Sequence, residues 1–339
     1  MVIAVDIRFS EDHQNFVYQT FKRITAQHPQ HSFIFIFDKP FDPSFIFSEN
    51  VTTVVVKPKK ISLLDDLKIS SLLKKYKADV FVTAKFLSQT KVPQCLIAFD
   101  KLAGRSLNKA QVIVTASEFS KKEIVEKYKI DGGKIDVVYK GVDEIFQPVT
   151  FEQKESIKEK HAGGNEYFLY AGTISSGNNL LNLLKAFSAF KKMQKSNMQL
   201  LIATKTKPTT EFLETLRLFK FKDEVRILDV SENELATITA SAYAFVYPFA
   251  KGYLYALQAM RFGVPILISD AGYMPEICGD AALYFDHNDH KNIADKMMLI
   301  FKDEKLRQQL IEKGRELVKK YSWDNTANSL WKSIEKACG

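Results

Sequence analysis

Cysteine is scarce in this chain. There are three, Cys95, Cys278 and Cys338, far apart and with no C-x-x-C pair. They predict free thiols in a reducing, cytoplasmic compartment rather than a disulfide framework. The 14 glycines and 10 prolines are few and scattered, so collagen-like and disordered readings fail. No apolar run approaches the ~18–20 residues of a transmembrane helix. The first residues, Met1–Asp6, read as the start of a strand without a basic leader, so no signal peptide is expected. No glycine pair has G-x-G spacing and no G-x-x-x-x-G-K-[ST] occurs, which excludes a dinucleotide dehydrogenase and a P-loop. The aromatic residues are mostly phenylalanines inside apolar runs. That suits a core better than a base-stacking platform, and no nucleic-acid partner is expected.

What is present is an ordinary globular composition, 46% apolar and 26% charged over 339 residues. At roughly 150 residues per domain this suggests two domains. The formal charge is +8 and the sequence pI about 9.1. Residues 1–150 carry 22 Lys/Arg against 17 Asp/Glu, and the remainder 26 against 23, so the excess is spread along the chain. A diffuse positive field suits an anionic membrane surface, a phosphorylated substrate or a plain solvated surface.

Short apolar runs alternate with amphipathic stretches from end to end. Val2–Asp6, Phe33–Phe37, Val51–Val56, Val80–Thr83, Gln94–Ala98, Val112–Ala116 and Lys134–Tyr139 read as strands. Helices are predicted at Phe16–Gln27, at Ser62–Tyr76 with Leu63, Leu64, Leu67 and Leu72/Leu73 on its buried side, and after Ser117, with Ser120 and Glu123 as a capping pair. The pattern breaks around Phe146-Gln147-Pro148. It resumes with strands at Tyr167–Ala171, Gln199–Ala203, Val225–Leu228, Ala244–Tyr247 and Pro265–Ile268, and helices between and after them. Strands separated by helices predict α/β architecture with mostly parallel sheets covered on both faces. Ligands of such folds bind at the carboxyl ends of the strands.

Several segments are familiar in order. They are Val112–Lys121; Lys134–Asp143 with Phe146 and Pro148; Tyr170-Ala171-Gly172-Thr173 followed by Asn179-Leu180; and Val225–Leu228 with Ser231, Glu232, Glu234 and Leu235. Ala244–Pro248, Ala259-Met260, Gly263-Val264-Pro265-Ile266, Pro275-Glu276, Gly279–Ala282 and Asp286–Asp289 follow in turn. Together they resemble the family 4 (group 1) glycosyltransferases over about residues 110–330, and Met1–Lys39 resembles the family more loosely. The resemblance implies a GT-B fold, two Rossmann-like domains with parallel sheets facing an interdomain cleft. It implies a shortened acceptor-side domain over 1–147, a nucleotide-sugar domain over 148–320, and a helix over 321–339 crossing back. The implied reaction moves a sugar from a nucleoside diphosphate sugar to a hydroxyl acceptor, with retention and without an essential metal or other cofactor.

The expected site departs from the family pattern in charge. Where the family has an Arg and a Lys before the helix that follows its Tyr-Gly-Thr segment, this chain has Gly177 and Asn178. The loop before that helix can bind phosphate through its N–H groups or simply cap the helix. Lys205 and Lys207 are candidates to replace the cations, or are surface lysines. Of the family's two glutamates around a Gly-rich turn, the second falls on Gln258, which can still hold a ribose hydroxyl. The first falls on Ala250 or Lys251. Lys251, beside Gly252 and Tyr253, could reach a phosphate or face solvent. Thr173 and Glu276 are retained. In the first domain the family's glycine-rich loop is Arg8–Asn15, without glycine, and its His-Asp is Phe99-Asp100, so Asp100 remains as the catalytic carboxylate. The stretch between Asp100 and Val112 is shorter than in the family. His287, Asp289 and His290 look like metal ligands, but they fall where the family has a plain turn. Two readings stay open: a transferase with a modified site, or a non-catalytic relative that binds a nucleotide sugar or a partner. An anionic membrane contact through Lys57, Lys59, Lys60, Lys74, Lys75 and Lys77 is a further option, against a solvated face.

Overall fold

The apolar runs become strands too short to bury anything alone, so each depends on its neighbours and on helices laid over both faces. The computed structural model describes residues 1–8, 11–39, 47–57, 62–85, 87, 89–99, 107–143, 148–174, 179–250 and 252–339. It divides into two units, Met1–Gly141 with Tyr321–Gly339, and Val142–Lys320. Each is an α/β unit around one parallel sheet, as the alternation of the sequence predicts.

Unit 1 contains β1 (Val2–Asp6), α1 (Glu11–Gln27), β2 (Ser32–Phe37), β3 (Val51–Val55), α2 (Ser62–Lys75), β4 (Val80–Thr83), β5 (Gln94–Ile97), β6 (Val112–Thr115), α3 (Glu118–Tyr128) and β7 (Ile135–Val137). The sheet order is β3-β2-β1-β4-β5-β6-β7. The order reverses between β1 and β4, which pair in parallel, Ile3 with Val80 and Val5 with Val82. Such a reversal opens a crevice beyond the strand ends. The last helix, Trp323–Cys338, packs Trp323, Ala327, Leu330, Trp331 and Ile334 into the same core as Ile3, Phe16, Phe21 and Val114. Gly141 permits its close approach: a Cβ there would lie 2.5 Å from the Trp323 nitrogen.

Three expectations need correction here. In α2, Leu72 and Leu73 face the core as expected, but Leu64 and Leu67 are exposed, and Asp65, Ile69 and Ser70 are buried instead; the side chain of Leu63 lies outside the described residues. The helix is turned because Asp65 reaches inward to Arg8 at 2.9 Å. The cap of α3 is Ser117, whose Oγ accepts from the Ser120 nitrogen at 3.0 Å, rather than a Ser120–Glu123 pair. The run read as a strand from Lys134 begins with a 3-10 turn, Gly132–Lys134, before β7.

Near the start of β2, His28 stacks on Trp331 with ring centroids 3.8 Å apart. His31 stacks behind it, and its Nδ1 accepts from the terminal ammonium of Met1 at 3.1 Å. Burial lowers both histidine pKa values below the ordinary 6.5, and the ammonium lowers that of His31 further. A lowered folded pKa means that the unfolded chain binds more protons. This contribution to stability is therefore complete above pH ~6.5 and is lost as pH falls through the folded values. Denaturant midpoints should drop between pH 7.5 and 5.5, and a His28→Gln/His31→Gln double variant should show a shallower drop.

Unit 2 contains α4 (Phe151–Ala162), β8 (Tyr167–Ala171), α5 (Leu180–Met193), β9 (Gln199–Ala203), α6 (Thr210–Arg217), β10 (Val225–Leu228), α7 (Glu232–Ala240) and β11 (Ala244–Tyr247). It continues with α8 (Leu254–Arg261), β12 (Ile266–Ser269), α9 (Met274–Cys278), β13 (Ala282–Phe285), α10 (His290–Lys302) and α11 (Glu304–Val318). The sheet order is β10-β9-β8-β11-β12-β13, reversing between β8 and β11. Helix α4 has no counterpart in the periodicity reading, although Thr150 and Gln153 form a reciprocal capping box at its start. Cys95 and Cys278 are buried free thiols, both pushed up to about 12 by burial, so neither is a ready nucleophile.

Candidate functional site

The reversal between β8 and β11 in unit 2 selects the segments after these strands, of which residues 172–174 and 179, and 248–250 and 252–253, are described. Each leads directly into a helix, α5 and α8. The strand ends carry paired tyrosines. Tyr170 and Tyr247 stack at 5.8 Å with an interplanar angle of 13°, and Tyr247 stacks at the same distance on Phe245. Tyr247 is 4% exposed. Burial raises its hydroxyl pKa, so at neutral pH this group is a hydrogen-bond donor and not an anion.

Cross-links hold the loops around this pair. The Tyr170 hydroxyl donates to the Thr173 carbonyl at 2.9 Å. The Ile174 nitrogen donates to Thr206 Oγ1 at 3.0 Å, joining the loop after β8 to the loop after β9. Asn179 starts α5 with a left-handed backbone, φ 51°, and makes no side-chain cap bond. Its Nδ2 points to the Pro248 carbonyl at 3.5 Å. The loop after β13 is tied in by Ser269 Oγ and His287 Nδ1 at 3.0 Å, and by Asn182 Nδ2 donating to the His287 carbonyl at 3.1 Å.

Gly252 has φ 86°, and a Cβ there would lie 2.5 Å from the Tyr247 hydroxyl. Its N–H donates to the Tyr273 hydroxyl at 2.7 Å. The Tyr253 ring is buried, edge-on to Tyr273 with centroids 5.5 Å apart. Gln258, one turn into α8, is half-buried, and its side chain has no hydrogen-bond partner among the described residues. Lys205 and Lys207 are exposed on the loop after β9, and the Lys205 ammonium pairs with Glu232 at 3.0 Å. Asp100, Gly177, Asn178 and Lys251 lie outside the described residues. Thus Thr173, Gly252, Tyr253 and Gln258 follow two adjacent strands, whereas the two lysines follow the strand on the far side of β8.

His287 and Asp289 have structural tasks. His287 holds Ser269, and Asp289 caps α10 by accepting from the Lys291 nitrogen at 2.8 Å. No cluster able to hold a metal ion occurs among the described residues. Phe99, beside Asp100, packs edge-on to Phe16 at 4.7 Å, with the Lys140 ammonium 4.9 Å from its ring centroid.

Sequence reasoning missed Tyr273, which occupies the Gly252 N–H. It missed Tyr170 and Tyr247 as a stacked pair, although both stand at strand ends beside a Gly-containing turn. It also missed Arg8. At the reversal in unit 1, Arg8 is held by Asp6 at 2.8 Å and Asp65 at 2.9 Å with all three side chains nearly buried. An Arg two residues after an Asp at a strand end was the available signal.

The family described as "Glycosyl transferases group 1" matches residues 151–317, the span that holds these loops. The O-antigen chain mannosyltransferase B of Escherichia coli is 27% identical over 231 residues, covering 67% of this chain. The O-antigen chain mannosyltransferase RfbU of Salmonella typhimurium is 28% identical over 233 residues, covering 68%. The matched part spans 61% of the length of each of these relatives. A glycosyltransferase structure from Rickettsia africae superposes with a TM-score of 0.82 at 15% identity, covering 99% of this chain and 98% of that one, which is a likeness of fold. With two α/β units, each built on a parallel sheet, the chain has the GT-B fold, and residues 151–317 are similar to the group 1 glycosyltransferases.

Proposed function

We propose that the protein transfers a sugar from a nucleoside diphosphate sugar to a hydroxyl acceptor, with retention at the anomeric carbon and without a metal. The observation that carries this is the pair of helix-starting loops at the β8/β11 reversal, inside the family-matched span. In the reaction the bond from the anomeric carbon to the diphosphate oxygen breaks, and its electron pair leaves on the phosphate. The acceptor oxygen takes that carbon and gives up its proton. Charge grows on the leaving diphosphate, and backbone N–H groups at helix starts are aimed at such charge. Thr173, Gly177 and Asn178 before α5, and Lys251, Gly252 and Tyr253 before α8, are assigned to the diphosphate, with Lys205 and Lys207 as outlying cations. Gln258 is assigned to a ribose hydroxyl. Asp100 is assigned as the catalytic carboxylate beside the transferred sugar. The donor sugar we propose is mannose, after the names of the two bacterial relatives, and the product a polysaccharide or glycolipid chain.

One observation favours a second reading, a nucleotide-sugar binder without transferase activity. The Gly252 N–H is already spent on Tyr273, and Gln258 supplies no charge. Thermal melts with a panel of nucleoside diphosphates and their mannose and glucose conjugates test both. A ligand at 100 times its dissociation constant should add about 2.7 kcal/mol. The transferase reading expects a shift with a mannose conjugate, and mannosyl transfer to a polysaccharide acceptor. The binder reading expects the shift alone. Silence across the whole panel would sink both.

A cytoplasmic protein working at an anionic membrane face completes the proposal. Lys57, Lys74, Lys75 and Lys77 are exposed, and Leu64 and Leu67 are 43% and 48% exposed on α2, while Lys59 and Lys60 lie outside the described residues. No helix among the described residues is long and apolar enough to cross a membrane. Lysines beside exposed leucines suit peripheral contact. Co-sedimentation with anionic vesicles should occur at low salt and disappear at high salt. Equal binding to neutral vesicles would remove this part of the proposal.

A further inference from the structure

At the amino-terminal ends of β8 and β11, away from the loops just described, a cavity of about 120 Å³ lies beside α4 and α11. Its walls include Lys154, Lys158, Glu166, Ser241, Tyr243 and Arg307. Glu166 immediately precedes β8, and Ser241–Tyr243 immediately precede β11. The cavity is therefore separated from the β8/β11 loops by the length of a five-residue strand, ~16 Å. It is no part of the proposed donor site.

Its charges are unevenly matched. Lys158 is paired with Glu155 at 2.9 Å and Glu166 at 2.5 Å. Arg307 is held by Glu304 through two hydrogen bonds of 2.7 and 2.8 Å, and its guanidinium carbon lies 4.9 Å from the centroid of the Tyr243 ring. Lys154 is half-buried, and its ammonium makes no ion pair within 4 Å and no hydrogen bond among the described residues, although Glu166 stands near enough to attract it. Burial, then the neighbouring charges of Lys158 and Arg307, lower its pKa against the opposing field of Glu166, and Arg315 lowers it further. The fold thus places a cation without a direct ion pair beside Lys158, Arg307 and Glu166, facing a partly open cavity. An arrangement that costs stability and has no direct internal partner fits a group kept for an external one.

We propose that this cavity binds a small, multiply charged oxyanion of the phosphate type, with Lys154 as its principal contact and Arg307 and Lys158 beside it. At about 120 Å³ the space has room for several waters. That admits a phosphate group and excludes a nucleotide sugar, whose sites run to roughly 300 Å³ and more. Arg and Lys on adjoining walls offer fixed and flexible donors to one tetrahedral anion. A bound anion would bridge α4 and α11, two helices from opposite ends of the unit 2 sequence.

Thermal melts of the full chain in inorganic phosphate and in chloride at equal ionic strength test this. The natural chain should show a saturable rise in melting temperature with phosphate beyond that with chloride. Lys154→Gln should weaken the apparent phosphate affinity at least tenfold, and Lys154→Arg should keep it. In chloride, Lys154→Gln should melt at the same temperature as the natural chain or higher, because the repelled charge is gone; this also reports that the variant folds. Glycerol phosphate in a parallel arm distinguishes the source of the anion: an equal affinity assigns the site to a phosphoryl group on an organic carrier, and a weaker one to free phosphate. A phosphate shift that survives Lys154→Gln, or one no larger than that of chloride, overturns the proposal.

Discussion

Replacing Arg8 by leucine is expected to destabilise unit 1 by about 3–5 kcal/mol. The guanidinium is 8% exposed and the carboxylates of Asp6 and Asp65 are 3% and 11% exposed. Asp6 takes both of its oxygens to Arg8 at 2.8 Å, and Asp65 takes one at 2.9 Å. Burial works against the charge of Arg8, but the hydrogen bonds and fields of Asp6 and Asp65 outweigh it and raise its pKa. Leucine would fill the space and leave two carboxylates buried without a counter-charge. The cost lies in that orphaning rather than in the pair itself. An Asp6→Leu/Arg8→Leu/Asp65→Leu variant should therefore recover most of the loss. Urea midpoints of the single and triple variants check this, and equal losses in both would show that shape, not charge, is what Arg8 supplies.

The same triad bears on function. It closes the β1/β4 reversal with one positive and two negative charges, a local net of −1. The arginine at this strand end is already neutralised by its two carboxylates. The +8 of the whole chain therefore does not converge at this strand end.

The strands were legible because residues such as Phe33–Ile36 and Phe168–Tyr170 are buried on both faces, and a fully buried strand is written as a continuous apolar run. The facing of α2 over Leu64 and Leu67 was not legible. Its leucines suggest one face, but Asp65 is drawn inward by a residue 57 positions away, and helical periodicity holds no record of such a pair. Helix α4 was hidden for a related reason: its buried residues are Lys158, His161 and Ala162, while Phe151 is 73% exposed. Its capping box was the readable signal. At the candidate site, Gly252 was legible as a turn residue before a helix. Its partner Tyr273 was not, because that contact arises only when β12 brings the following loop alongside.

Gly252→Ala is expected to cost about 3 kcal/mol, from left-handed backbone strain and a forced clash together. At φ 86° an L side chain is strained, and its Cβ would press to 2.5 Å on the Tyr247 hydroxyl. A flexible neighbour would swing aside. Tyr247 cannot do so cheaply, because its ring is 4% exposed and stacked on both Tyr170 and Phe245. The loop must move instead, and with it the start of α8 and the Gly252–Tyr273 hydrogen bond. Adding Tyr247→Phe removes the clashing oxygen and leaves the φ strain, so the double variant should regain part of the stability and not all of it. The denaturant midpoint reports the strain, and the thermal shift with a nucleoside diphosphate reports the site. If α8 and its preceding loop hold the diphosphate, Gly252→Ala should lose the ligand response by more than tenfold. The double variant should then recover it only as far as the loop returns. A ligand response that stays intact while stability falls would mean that the diphosphate relies on the loop before α5 alone, and that Tyr273 keeps the Gly252 N–H without cost to binding.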